Sequence, residues 1–142
     1  MMNLKIGSML MAGALSLAAL APRHEARAAA PPVTHEVRMV MEGTTARFEP
    51  ASLTIHAGDR VRFTNASGGP HNVSFDPARI PADAQRALAA SMADQIQPLW
   101  GPLMTESGGS YTISFAGVKP GRYEFFCMPH MAMGMKGAIT VQ

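Results

Sequence analysis

Six short segments of this chain alternate apolar and polar residues one by one, and turn-forming residues separate most of them. Val37, Met39 and Met41 share one face against Glu36, Arg38 and Glu42. Leu53 and Ile55 alternate with Thr54 and His56, and Val61 and Phe63 alternate with Arg60, Arg62 and Thr64. Further on, Tyr111, Ile113 and Phe115 alternate with Thr112 and Ser114. Tyr123, Phe125 and Cys127 alternate with Arg122 and Glu124, and Ile139 and Val141 flank Thr140. A period of two places apolar side chains on one face of an extended strand, so each segment reads as a half-buried strand. Ala57-Gly58-Asp59, Ser67-Gly68-Gly69-Pro70, Ser107-Gly108-Gly109 and Lys119-Pro120-Gly121 supply the turns. The pattern predicts an all-β chain folded as a Greek-key β-sandwich. One stretch departs from it: residues 81–94 hold good helix formers bracketed by Pro77, Pro81 and Pro98, which predicts a short inserted surface helix.

The first thirty residues read differently. Lys5 precedes an apolar run from Ile6 to Ala21, Pro22 closes it, and Ala26-Arg27-Ala28 offers a small-x-small cleavage site. This is the layout of a secretory signal peptide over residues 1–28, to be cleaved, with 29–34 as a short tail and 35–142 as the domain. The alternative is an uncleaved membrane anchor, although the run falls short of the roughly 20 residues that span a bilayer. No twin Arg precedes the run. The whole chain carries a formal net charge of +2. Lys5, Arg23 and Arg27 leave with Glu25, so the exported chain is formally neutral. No basic stripe remains to neutralise phosphates, which argues against nucleic-acid binding. An exported chain faces an oxidising compartment, where its single Cys is at risk unless buried or bound to a metal.

That Cys opens the densest cluster of donor groups in the chain, Cys127-Met128-Pro129-His130-Met131-Ala132-Met133-Gly134-Met135. A strand ending at Cys127 aims its sulfur inward, Pro129 turns the chain, and His130 and Met135 return to the same point. Thiolate, imidazole and thioether form a soft-to-borderline donor set that suits copper far better than zinc or magnesium. A structural zinc site would call for four strong ligands, and the second Cys is absent. A second imidazole is needed, with His35, His56 and His71 as candidates. His35 lies at the start of the domain and His56 on a polar strand face, and both read as solvated. His71 follows Gly68-Gly69-Pro70 and precedes Val73 and Phe75, so it opens a strand at a loop and is the expected partner of Cys127.

Gly69-Pro70-His71-Asn72-Val73 together with Cys127-x2-His130-x4-Met135 resembles the plastocyanin/pseudoazurin group of small blue copper proteins. Phe48-Glu49-Pro50 and Ala57 to Phe63 also resemble the group's second strand region, and the resemblance extends over roughly residues 35–142. It implies the cupredoxin fold, a sandwich of about eight strands, and one copper ion cycling between Cu(I) and Cu(II). Carried over by position, His71, Cys127 and His130 would be the strong trigonal ligands and Met135 the weak axial one. Met133 competes for the axial place and fits less well, because Gly134-Met135 keeps the longer loop pattern. Asn72 would tie the two ligand loops together and tune the sulfur, with Pro129 shaping the second loop. Met128 and Met131 depart from the group, where many relatives carry Ser or Thr and a polar or aromatic residue.

The resemblance implies a soluble periplasmic electron carrier, not an enzyme, with His130 as the surface point where electrons enter and leave. Pro70, Met128, Met131, Met133 and Gly134 would form an adaptable apolar rim that docks redox partner proteins transiently. The mature form is expected to be monomeric and not membrane-embedded. The rival expectation, raised by the methionine-rich loop, is a periplasmic copper chaperone or store.

Overall fold

The computed structural model describes residues 30–142, so the predicted signal peptide lies outside the described residues. Seven strands are present among them: β1 (Thr34–Glu42), β2 (Thr45–Glu49), β3 (Ser52–Ile55), β4 (Arg60–Asn65), β5 (Ser110–Ser114), β6 (Gly121–Phe126) and β7 (Lys136–Val141). They form two layers, one ordered β2-β1-β4-β5 and the other β3-β7-β6. Within the first layer β1 and β4 run parallel, and within the second β3 and β7 do; every other pair is antiparallel. The chain crosses from one layer to the other after β2, β3 and β5. This is a Greek-key sandwich of the predicted class.

Register follows the alternation. Val37 stands opposite Phe63, Phe63 opposite Tyr111, and Tyr123 opposite Ile139, so each ladder places its apolar residues on one buried face. The layers meet through aromatic rings. Phe48 and Phe63 of the first layer pack edge-on against Phe125 of the second, with centroids 4.7 and 5.3 Å away. Gly137 lets β7 pass beside that ring. A Cβ there would collide with Phe125 and with the Ala51 carbonyl.

Three details differ from expectation. Helix α1 spans Ala82–Ser91, shorter than 81–94. Its far end stops because Gln95 reaches back, its amide donating to the free carbonyls of Ala89 and Met92 at 3.0 Å. The helix is not merely superficial, since Ala84 and Leu88 are fully buried and join the core. Second, no strand begins at His71. Residues 71–75 are all buried rather than alternating, and they are held by single bridges to Met104, Trp100 and Phe126. A segment buried on both sides and linked one residue at a time does not form a ladder, which accounts for seven strands rather than about eight. Third, His35 is half-buried, and its Nε2 stands 2.9 Å from Asp59 Oδ2. His56 is exposed as expected. No helix among the described residues is long and apolar enough to cross a membrane.

Candidate metal centre

The donor residues converge at one end of the sandwich. The long connection between β4 and β5 carries His71. The backbones of His71 and Met104 exchange two hydrogen bonds of 3.0 and 2.8 Å, and those of Ser74 and Phe126 exchange two of 2.9 Å. The second pair ties the His71 segment to β6 one residue before Cys127. Asn72 adds a third tie, because its Oδ1 accepts the Met128 N–H at 2.8 Å. Its amide nitrogen donates to Ser74 Oγ at 3.0 Å and to the Gly101 carbonyl at 3.1 Å. A buried amide with all its groups engaged fixes the spacing of the two loops. Ser74, Gly101 and Met104 were not legible as site residues in the sequence, because two of the three act through backbone atoms.

The second loop closes on itself. Cys127 caps a 3-10 turn over Met128–Met133, with Pro129 in its first positions, where a missing N–H costs nothing. His130 N–H donates to the Cys127 carbonyl at 3.2 Å, Met135 N–H to the His130 carbonyl at 3.2 Å, and Cys127 N–H to the Met135 carbonyl at 3.1 Å. These three bonds bring residues 127, 130 and 135 to one point. Gly134 ends the turn at φ +77°, a left-handed conformation that glycine adopts without penalty.

The side chains follow the backbone. Cys127 Sγ lies 3.7 Å from His71 Nδ1 and 3.5 Å from His130 Nδ1. One ligand atom from each of the three residues lies within 4.8 Å of the others. The two imidazole rings are 4.7 Å apart between centroids and tilted by 52°. Metal bonds of about 2.0 Å to nitrogen and 2.3 Å to sulfur, opened at 120°, call for a nitrogen–sulfur separation of about 3.7 Å. The observed separations meet that requirement. His71, Cys127 and Met135 are wholly buried, and His130 is half-buried. The structure thus brings together three of the predicted donor side chains and the backbone of the fourth. His35 and His56 stand apart from this cluster.

The electrostatics favour a neutral imidazole at His71 and a shielded sulfur. Burial, with the charge of His130 second, holds His71 below the ordinary histidine range and so favours its neutral form. Burial pushes the Cys127 thiol up, while the backbone N–H groups of Asn72 and His130 draw it back. Among the described residues, His71 Nε2 is the one buried side-chain nitrogen or oxygen without a hydrogen-bond partner. A ring so weakly held by protein contacts suits a position fixed by a metal on its other nitrogen. The rim differs in character. Pro70, Met131, Met133 and Gly134 are exposed, Met128 and Pro129 are half-buried, and residues 65–75, 95–105 and 125–135 contain no charged side chain.

Comparison with known proteins agrees with this geometry. Residues 35–142 match the family described as copper binding proteins, plastocyanin/azurin family. A plastocyanin from Nostoc punctiforme is 38% identical over 110 residues, spanning 77% of this chain and 74% of the relative. A plastocyanin from Scenedesmus fuscus is 42% identical over 95 residues, spanning 67% of this chain and 86% of the relative. Among solved structures, the oxidised plastocyanin of Dryopteris crassirhizoma is similar with a TM-score of 0.61 and 33% identity, covering 75% of this chain and 99% of that one. A Sinorhizobium pseudoazurin is similar with a TM-score of 0.52 and 28% identity, covering 78% of this chain and 74% of that one. The fold, the clustered donors and these matches lead to one conclusion: the chain belongs to the plastocyanin/azurin family of copper-binding proteins.

Proposed function

We propose that this chain is an exported, soluble one-electron carrier whose copper is held by His71, Cys127 and His130, with Met135 as the weak axial ligand. Bound copper supplies a Cu(I)/Cu(II) couple, and everything else is the work of the protein. The observation that carries the reading is the closed backbone circuit through residues 127, 130 and 135, cross-braced by Asn72. A donor set that is braced before an electron arrives has little to rearrange when it leaves, and a small rearrangement is what fast electron transfer requires.

Each residue has a distinct part. Cys127 offers a thiolate sheltered from water, and His71 a neutral imidazole buried behind it. His130 is the only one of the four that reaches the surface, so it is the route for the electron. The uncharged rim of Pro70, Met128, Met131, Met133 and Gly134 surrounds that route and provides a small apolar face for brief contacts with redox proteins. A groove of about 830 Å³, lined by Trp100, Phe126, Arg122, Met131 and their neighbours, touches none of the four donors. The leader-like residues 1–28 support export to the periplasm and release from the leader.

A redox titration of the copper-loaded protein tests the proposal. It should cycle reversibly with one electron per chain over many turns. Loss of copper on each reduction would overturn it in favour of a chaperone.

A further inference from the structure

How copper reaches a centre this closed is a separate question. His71, Cys127 and Met135 have no exposure, so an ion must pass beside His130. The 3-10 turn that carries His130 also carries Met128 two residues before it, Met131 one after and Met133 three after. Met131 is 51% exposed and Met133 43%. The turn kinks at His130, and the bonds among residues 127, 130 and 135 close it into one short loop. The unbranched methionine side chain has three rotatable bonds, so thioethers on that loop can converge at the mouth. Nothing lies within 4 Å of where a Cβ on Gly69 or Gly134 would stand, which leaves both flanks of the mouth open.

The donor class at this mouth is selective. Residues 125–135 supply no carboxylate, and the one imidazole among them belongs to the centre. Met131 also borders the groove lined by Arg79, Glu124 and Lys136. Neutral thioethers are soft ligands that favour Cu(I) over the harder divalent ions. Leu103 and Ile96, exposed on the neighbouring loop, show that this end of the molecule also displays apolar surface without sulfur. An apolar docking face alone therefore does not call for three methionines.

We propose that Met128, Met131 and Met133 form a capture site for Cu(I) at the mouth of the centre and pass the ion inward past His130. The inference rests on the reading of residues 71, 127, 130 and 135 as the copper ligands. In the transfer, thioether–copper bonds break and bonds to the Cys127 thiolate and the two imidazoles form. The Cys127 thiol proton goes to water, and the oxidation state of copper does not change.

The test compares copper-free wild-type protein with the triple variant M128L/M131L/M133L, which keeps apolar bulk and removes sulfur. Loading is followed by stopped-flow absorption, in the ultraviolet thiolate band for Cu(I) supplied anaerobically as its acetonitrile complex and in the visible for Cu(II) supplied as sulfate. Cu(I) loading should slow at least tenfold in the variant, with Cu(II) loading altered less than twofold. The exposed pair M131L/M133L, which leaves the half-buried Met128 in place, should slow Cu(I) loading at least threefold and carries the test if the triple variant does not fold. Equal Cu(I) rates, or parallel slowing with both ions, would overturn the capture site while leaving the centre intact. Failure of wild-type protein to form a coloured centre with Cu(II) would overturn the ligand assignment itself.

Discussion

Asn72 accepts the backbone N–H of Met128 at 2.8 Å, joining two loops that lie 56 residues apart in the chain. With its bonds to Ser74 and Gly101, this one side chain sets the distance between the loop of His71 and the loop of Cys127. Replacing Asn72 with Ala leaves buried polar groups at Met128, Ser74 and Gly101 without their partner. At about 1–3 kcal/mol for each buried group left unpaired, partly relieved by relaxation, the cost is about 3 kcal/mol. Urea unfolding of the copper-free protein measures it. A loss below about 1 kcal/mol would mean that the loops are braced by their backbone bridges alone.

The axial assignment separates two methionines five and three residues beyond His130, where the turn kinks. Met135 is wholly buried and its backbone bonds to both Cys127 and His130, whereas Met133 is exposed. Removing a donor penalises Cu(II), which favours more ligands, more than Cu(I). Met135→Leu should keep copper and raise the reduction potential by more than about 59 mV, a tenfold change for one electron. Met133→Leu should leave the potential nearly unchanged. The reverse pattern would reassign the ligand.

Much of this architecture is legible in the sequence, and the failures have physical causes. The alternation at Val61-Arg62-Phe63 and Tyr123-Glu124-Phe125 marks strands because one face of each is buried and the other wet. The Cys127-x2-His130-x4-Met135 spacing announces a closed loop because so few backbone paths return three donors to one point. The strand expected at His71 fails because residues 71–75 are enclosed on both sides, which leaves no alternation to distinguish strand from buried coil. Leu99 is buried at φ +64°, a left-handed conformation that no glycine or asparagine at that position foretells. The pairing of His35 with Asp59 spans 24 residues and depends on β1 and β4 lying parallel, a neighbourhood that local pattern does not contain.

That pairing has a consequence for acid stability. Burial raises the Asp59 carboxyl, but hydrogen bonds from His35 and from the backbone N–H groups of Val33 and His56 outweigh it and hold the carboxyl at about 2. A carboxyl lowered on folding contributes stability above its ordinary value of 3.8 and loses it as pH falls toward 2. The contribution is about 2 kcal/mol. Stability of the copper-free protein should fall between about pH 4 and pH 2, and Asp59→Asn should start lower and lose that part of the slope. An unchanged acid slope in the variant would place the acid sensitivity elsewhere.

The uncharged rim predicts how copies meet. Electron exchange between reduced and oxidised molecules should change less than about twofold between 10 and 200 mM salt, because the rim residues Pro70, Met128, Met131, Met133 and Gly134 carry no charge to be screened. Met131→Glu combined with Met133→Glu should slow the exchange and make it rise with salt, as like charges become screened. A strong salt dependence in the unaltered protein would move the contact face away from His130.

The most direct test of the whole account is the visible spectrum of protein loaded with Cu(II). A thiolate on copper in this buried trigonal set should give an intense thiolate-to-copper absorption, and Cys127→Ser should abolish it while the domain still folds, as judged by circular dichroism. Colourless loaded protein, or a band that survives the substitution, would contradict the assignment of Cys127 as the residue on which the function turns.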